Sequence, residues 1–518
     1  MIQLVHNQKL VAIVAGSLLG LAFHFGVFGW VFGVASFALW LWHIQLTENP
    51  NPAPGFLFFL PYHLIGLQWL WCVTGPLSQH LFSWLGPALC SSLIFYLAFF
   101  FLGKAITRFA FPVIPSFIVG WMGIEYLQSH WELEFPWLRL VYLLGENNWM
   151  YAHALHVGPV GVGASIVLFS WGILDAFTKR TFARWFCLAP ILPLLIFLIP
   201  NQELTSDFIQ LRLVQPNEDP YSEKYIANQT DRSEKLWNLA GGGLDTIQCL
   251  VFPETAFQER NMWEGNWRKS IAISTAEDTA LAYPHLDMHL GAASYRLLKP
   301  GEKLSAASRK FRDMDRYYES YNTAILINNK GEQIYHKSKL VAGVECIPFM
   351  NSLPFMTQLS MDFGGTIGAL GKQDTMRVLQ GENANYGAVI CYESVFPDFL
   401  RSWTKLGADV LVLMTNDAWW GNSVGHLQHL WRAQVVATSL GRPIARSANT
   451  GISAIIDAQG EVLQKTEFNA TGVLNGKLPL QKRWGLYQVF GDFLGFISFC
   501  VCALALFASL LPKRMLPQ

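Results

Sequence analysis

The sequence predicts a membrane α-helical bundle of about eight spans joined to one α/β domain. Three observations carry this. The 518 residues are 52% hydrophobic and only 14% charged, too apolar for a chain that lies wholly in water. Apolar stretches of bilayer length cluster before residue 200 and recur once after residue 487. Between them charges return, and short β-rich runs alternate with helical patterns. The expected division is 1–200, a membrane part of about seven helices; 201–486, an outer α/β domain; and 487–518, a last span with a short tail.

The first apolar block, Leu10 to Ile44, is too long for a signal peptide and reads as two spans hinged near Gly26 and Gly29. Further spans are expected from about Phe56 to Val73, Leu85 to Leu102, Phe111 to Leu127, Val157 to Phe177, Phe182 to Ile199 and Val489 to Leu511. With the N-terminus inside, Lys9, Lys104, Arg108, Lys179, Arg180, Arg184, Lys513 and Arg514 share the cytoplasmic side, and the α/β domain lies outside. Arg139, Lys482 and Arg483 fall on the opposite side, where a long domain translocates largely regardless of charge. Twenty Trp and 37 Phe suit residues that gather at membrane interfaces.

The segment HWELEFPWLRLVYLLGENNWMYAH, 130–153, is too polar to span. It is either an interfacial loop that packs the spans together or a lipid-facing surface through which substrate enters. Glu125, at the end of the fifth span, is an ionisable group near the bilayer: a functional candidate, or a carboxylate that simply reaches water.

In the outer domain the expected strands are FIQLRLVQPN (208–217), DTIQCLVFPE (245–254), NTAILINNKGEQIYHKSK (322–339), NYGAVICYE (385–393), ADVLVLMTND (408–417) and GISAIIDAQGEVLQ (451–464). The runs GAVI and LVLM lack alternation and suit strands covered on both faces. NNKG and DAQG read as hairpin turns.

A formal net charge of zero argues against nucleic acid as a partner. The eight cysteines, Cys72, Cys90, Cys187, Cys249, Cys346, Cys391, Cys500 and Cys502, form no CxxC pair and lie beside no histidines at ligand spacing, so neither a metal nor another cofactor is expected. Cys249 and Cys346 are expected to be structural.

Three strand ends carry reactive groups: Glu254 after CLVFP, Lys337 after QIYH and Cys391 after GAVI. Ligands of open α/β sheets bind at the carboxyl ends of strands, where groups distant in sequence converge. The set is chemically sufficient for acyl transfer through a thioester: a carboxylate takes and returns the thiol proton, and an ammonium steadies an oxyanion. Each residue alone also has a plain structural reading: a buried thiol, a helix N-terminal carboxylate, or one of two solvated lysines with Lys339. Their conjunction carries the argument.

These residues also carry a resemblance. VFPETAF with Glu254, YHKSKLV with Lys337, CYESVFP with Cys391, and TNDAWWG resemble successive motifs of the nitrilase superfamily, which uses a Glu-Lys-Cys triad in an αββα sandwich. With seven apolar spans before this domain and one after, the chain resembles the bacterial apolipoprotein N-acyltransferases over nearly its whole length. The resemblance implies that Cys391 is the nucleophile, Glu254 the general base and Lys337 the oxyanion stabiliser. It implies supporting roles for Glu345, Glu393 and the backbone N–H of Tyr392, and places Trp419, Trp420, Arg446 and Asn449 in substrate-binding motifs. Where the family reads HLVPFGE this chain reads KLVAGVE (339–345), which keeps the glutamate and alters the loop.

What the resemblance implies about activity is a ping-pong N-acyltransferase of the bacterial inner membrane, acting as a monomer with its catalytic domain in the periplasm. A phospholipid gives its acyl chain to Cys391, and the α-amine of a diacylated lipoprotein receives it, with membrane lipids as surroundings. Two rivals stay open: a membrane-anchored carbon-nitrogen hydrolase whose thioester is resolved by water, and a transporter or assembly factor with a non-catalytic nitrilase fold.

Overall fold

The apolar and polar parts of the chain fold as two units. The computed structural model describes residues 7–46, 53–73, 75–178, 184–198, 207–221, 224, 228–346 and 369–511. One unit comprises Met1–Pro200, Ser423–Ser439 and Gly485–Gln518; the other comprises Asn201–Asn422 and Leu440–Trp484.

In the apolar unit, four helical segments among the described residues are long and apolar enough to cross a membrane: Gly26–Gln45, Leu77–Phe109, Ala154–Phe177 and Phe493–Leu510. Four more apolar helices are shorter, Gln8–Ala22, Gly55–Gly66, Val113–Leu127 and Arg184–Leu198. At about 1.5 Å per residue the 15 residues of Val113–Leu127 reach about 22 Å, short of a hydrocarbon core of about 30 Å. Among the described residues each of the eight expected segments carries apolar helix, and four reach spanning length; Phe182, Ala183 and Ile199 lie outside the described residues. Of the basic residues used for orientation, Lys179, Arg180, Lys513 and Arg514 lie outside the described residues.

The hinge in the first block is where glycine is needed. Gly26 takes φ +49°, and a Cβ on Gly29 would sit 2.3 Å from Ala22 O and 2.6 Å from Leu143 O, so any side chain there would force the helices apart.

The aromatic segment packs inward: from Trp137 to Leu144 no residue is more than 7% exposed. Within the same unit, the Arg432 guanidinium of helix Val424–Leu440 lies 3.9 Å from the Trp137 ring centroid and 4.4 Å from that of Tyr142. Gln428 accepts from Trp137 Nε1 at 2.8 Å and donates to Phe23 O at 3.0 Å. The packing alternative therefore describes residues 137–144. Glu125 does not reach water either. It is buried, and its Oε1 accepts from Trp121 Nε1 at 3.0 Å and Leu140 N at 2.9 Å.

Among the described residues the polar unit has thirteen strands: β1 Phe208–Gln215, β2 Cys249–Val251, β3 Asp287–Leu297, β4 Arg309–Lys310, β5 Tyr317–Asn328, β6 Gly331–His336, β7 Leu379–Gln380, β8 Asn385–Ile390, β9 Val410–Thr415, β10 Ile444–Ala448, β11 Ala454–Ile456, β12 Val462–Lys465 and β13 Gly472–Pro479. They form two mixed sheets, one ordered β13-β1-β2-β3-β5-β4 with β6 on β5, the other β12-β11-β10-β9-β8-β7. β8, β9 and β10 run parallel, and GAVI of β8 and all of β9 are buried, as runs without alternation predict. Both expected hairpins form, Asn328 pairing with Gly331 and β11 with β12.

The sheets face one another. Tyr386 on β8 donates to Asp287 on β3 at 2.9 Å, and Ser447 on β10 donates to Val214 O on β1 at 2.9 Å. Helices Gln229–Ala240 and Ile271–Ala282 cover the first sheet, burying Leu236, Ile273 and Ala276 against Leu250, Met288 and Ile325. Each large apolar side chain so buried contributes about 1.5–3 kcal/mol. Helix Pro397–Lys405 buries Leu400 and Trp403, the latter with its ring 5.1 Å from that of Tyr335.

Candidate active site

Three strand ends meet, and they come from both sheets. Glu254 follows β2 and Lys337 follows β6 in the first sheet, while Cys391 follows β8 in the second. Convergence along one open sheet is therefore not how the site forms: the two sheets face each other and bring their strand ends together.

Lys337 Nζ, buried, donates to Glu254 Oε1 at 3.2 Å and to Glu345 Oε1 at 2.9 Å. Asn322 on β5 bridges the same carboxylates, its Nδ2 lying 2.7 Å from Glu254 Oε1 and 3.3 Å from Glu345 Oε1. Its carbonyl accepts from the Lys337 N–H at 2.8 Å. Burial alone would push the Lys337 ammonium toward neutrality, but Glu345 and Glu254 outweigh it and hold the group well above its usual range.

The altered KLVAGVE segment still delivers its glutamate. Gly343 turns at φ +80°, the Glu345 N–H donates to Val341 O at 2.9 Å, and Glu345 Oε2 accepts from the Val341 N–H at 2.9 Å. Its glycine takes the left-handed position that closes the loop without the family's Pro and Phe.

Glu254 sits on a tight path. The next residue, Thr255, has φ +46°, and Gly291 on β3 lies so close beneath that a Cβ there would be 2.0 Å from Pro253 O. Two buried cations that motif reading missed hold this turn: Lys224 Nζ donates to Glu254 O at 2.9 Å and Arg232 Nη1 to Ala256 O at 2.5 Å. Burial, with Arg232 nearby, pushes the Lys224 ammonium down to about 7. The signal for Lys224 is weak in sequence, a lone lysine between Glu223 and Tyr225.

Cys391 opens a 3₁₀ turn, Cys391–Val395, and takes φ +48°, a conformation costly for a residue with a Cβ. Burial pushes its thiol up, the Glu254 charge adds to this, and Lys337 opposes both. Tyr392 and Glu393 follow inside the turn, both buried.

Glu393 ties the turn to the end of β6. Its Oε2 accepts from Ile390 N at 2.7 Å, and its Oε1 from Tyr335 Oη at 2.6 Å, Ser338 N at 2.7 Å and Lys339 N at 3.3 Å. Burial raises its carboxyl to about 7, against the pull of these donors.

Trp419 and Trp420 are half-buried in the turn after β9. Arg446 and Asn449, expected to contact substrate, are fully buried and bonded within the protein. Arg446 pairs with Asp417 at 2.5 Å, and Asn449 donates to Asn416 Oδ1 at 3.0 Å and Glu218 O at 2.8 Å. Both hold loops rather than line a surface. Among the described residues no disulfide forms and no cluster of three or more metal-ligating side chains is present. Cys249 is fully buried, and Cys346 lies half-buried.

Two family models match the chain: the apolipoprotein N-acyltransferase N-terminal domain over residues 15–172 and the carbon-nitrogen hydrolase domain over residues 303–484. An apolipoprotein N-acyltransferase of Rhodopseudomonas palustris is 27% identical over 98% of this chain and 96% of its own. One of Chlorobaculum tepidum is 25% identical over 97% of this chain and 96% of its own. Among solved structures, a carbon-nitrogen hydrolase from Helicobacter pylori G27 is similar at 13% identity and TM-score 0.37, over 53% of this chain and 90% of that one. The two family models and the relatives aligned nearly end to end agree: the chain is similar to the apolipoprotein N-acyltransferases, acyltransferase enzymes with a carbon-nitrogen hydrolase domain.

Proposed function

We propose that this enzyme moves a fatty acyl chain from a membrane phospholipid to the α-amino group of a diacylated, N-terminal cysteine of lipoproteins, through a thioester on Cys391. One observation carries the reading: a buried thiol, a carboxylate and an ammonium held between two carboxylates occupy three converging strand ends.

In the first half-reaction Glu254 takes the proton of Cys391, and the thiolate attacks the ester carbonyl of the phospholipid. Lys337 and the backbone N–H of Tyr392 hold the oxyanion, the ester C–O bond breaks, and Glu254 returns the proton to the departing lysophospholipid. In the second, the α-amine attacks the thioester, Glu254 accepts its proton, and the thiolate leaves as the amide forms. Glu345 and Asn322 act by fixing Lys337 and Glu254, and Glu393 by fixing the nucleophile turn. Trp419 and Trp420 are the aromatic surface we assign to substrate.

The apolar helices give both lipid substrates a phase in which their chains remain, avoiding about 0.8 kcal/mol per CH₂ of transfer to water. We place the chain in the bacterial inner membrane as a monomer with about eight spans, the shorter apolar helices included, and the catalytic domain on the periplasmic side. The bias of Lys9, Lys104, Arg108 and Arg184 supports that orientation.

The experiment is a two-substrate assay of detergent-purified full-length chain with acyl-labelled phospholipid and a synthetic diacylated lipopeptide. Labelled triacylated peptide with wild type and none with Cys391→Ala supports the reading. Release of free labelled fatty acid, with no amide even at saturating lipopeptide, points instead to a hydrolase and contradicts it.

A further inference from the structure

The Cys391 sulfur has a neighbour that the Glu254–Lys337–Glu345 network leaves unused. Ile390 is in register with Met414 across the parallel ladder of β8 and β9; the residues that follow are Cys391, where β8 has ended, and Thr415, the last residue of β9. The Thr415 side chain is a hydrogen-bonding neighbour of the sulfur that opposes the upward push of burial on the thiol. On its other side Thr415 Oγ1 lies 3.0 Å from Asp417 Oδ1. Asp417 Oδ2 in turn accepts from Arg446 Nη2 at 2.5 Å, while Arg446 Nε donates to Ile452 O at 3.0 Å. Thr415, Asp417 and Arg446 are all fully buried, so water does not compete for these bonds.

Counting donors decides the direction. A hydroxyl has one proton, and a carboxylate ionised against an arginine can only accept. At rest the Thr415 proton therefore points at Asp417, and the sulfur meets an oxygen lone pair. That arrangement suits S–H, which donates, and disfavours S⁻, which accepts. Once the thiol proton has gone to Glu254, rotation about the Thr415 Cβ–Oγ1 bond turns the same O–H onto the sulfur, and Asp417 keeps Arg446 as its partner. No proton of Thr415 is transferred; it changes acceptor.

We propose that Thr415 is a further catalytic residue, a hydroxyl that accepts from the resting thiol of Cys391 and donates to its thiolate, and that Asp417, fixed by Arg446, is the positioning residue that sets its resting direction. The proposal rests on the reading of Cys391 as nucleophile. It gives Arg446 a task that fits its burial, and it keeps the resting sulfur protonated, the form that resists oxidation and stray alkylation. The thiolate is also the leaving group when the amine takes the acyl chain, so the same donor serves both half-reactions. The charged groups around the sulfur are Glu254 and Asp417, which oppose its ionisation, and Lys337 and Lys224, whose charges favour it.

The test is the pH–rate profile of Cys391 alkylation by iodoacetamide, read by mass spectrometry on the Cys391 peptide of full-length, detergent-solubilised chain. Wild type, T415V, T415A, T415S and D417N are compared, alongside acyl-adduct formation from labelled phospholipid. A lost hydrogen bond to an anion predicts alkylation of T415V about tenfold slower at neutral pH, with the profile moved to higher pH and both half-reactions slowed. T415S stays near wild type, and D417N moves the profile the opposite way, a pair of signs that a packing role would not produce. A wild-type profile in T415V, while wild type forms its adduct, overturns the proposal alone. If T415V and T415A both fail to fold while T415S folds, the hydroxyl is structural and the proposal is likewise overturned. Absence of any wild-type adduct at Cys391 removes the nucleophile reading and the proposal with it.

Discussion

Lys337 Nζ stands 3.2 Å from Glu254 Oε1 across 83 residues of sequence, and both side chains are buried. With Glu345 at 2.9 Å on its other side, one ammonium bridges two carboxylates and offsets their mutual repulsion. Removing one partner of a buried ionic cluster costs more than the pair is worth. Lys337→Met is therefore expected to abolish acyl transfer and to destabilise the chain by about 3–5 kcal/mol. Chemical unfolding in detergent checks the second part. Lys337→Arg keeps the charge but not the shape, and is expected to recover stability more than activity.

The thiol itself gives a signed prediction. Burial and the Glu254 charge push Cys391 up, and Lys337 pulls it down. Glu254→Gln should accelerate alkylation of Cys391 at neutral pH although it loses turnover, whereas Lys337→Met should slow it. Alkylation rates from about pH 7 to 10 test this, and the same sign in both variants would count against the arrangement.

Glu393 predicts a pH dependence of stability. Its carboxyl rises from 4.5 to about 7 in the folded chain, so between these values the folded state holds a proton that the unfolded chain has released. The stability this contributes is complete below about 4.5 and is lost as pH rises through about 7. Thermal unfolding of wild type minus Glu393→Gln, measured across this window, should show the decline, since Gln does not titrate.

A single methyl group tests the path beneath Glu254, the base we propose. Gly291→Ala would place a Cβ 2.0 Å from Pro253 O, so the Glu254 turn must shift. We expect a cost of about 1–3 kcal/mol in stability, with acyl transfer reduced more than tenfold and Cys391 still open to alkylation.

Much of this was legible in sequence because strand-end motifs are local. GAVIC and QIYHK place Cys391 and Lys337 on the residues that directly follow β8 and β6. What stayed hidden depends on pairing. β3, DMHLGAASYRL, lacks the β-branched residues that mark a strand, because Gly291 answers the backbone above it and the small side chains fit a covered sheet. β10, IARSA, hides behind an arginine whose charge only Asp417 explains. Lys224 was invisible because its role is toward a backbone carbonyl, which has no sequence signature. Among the described residues four apolar helices read as full spans by composition are shorter than a span, since hydropathy reports where a segment is apolar and not where its hydrogen bonding ends.

The measurement that bears most directly on the central claim is intact-protein and peptide mass spectrometry of full-length chain incubated with phospholipid alone. The account predicts one acyl group on Cys391, released by hydroxylamine, absent in Cys391→Ala, and chased onto a diacylated lipopeptide when that is added. An acyl group on any other residue, or triacylated peptide formed with no adduct in a single-turnover trap, would contradict it.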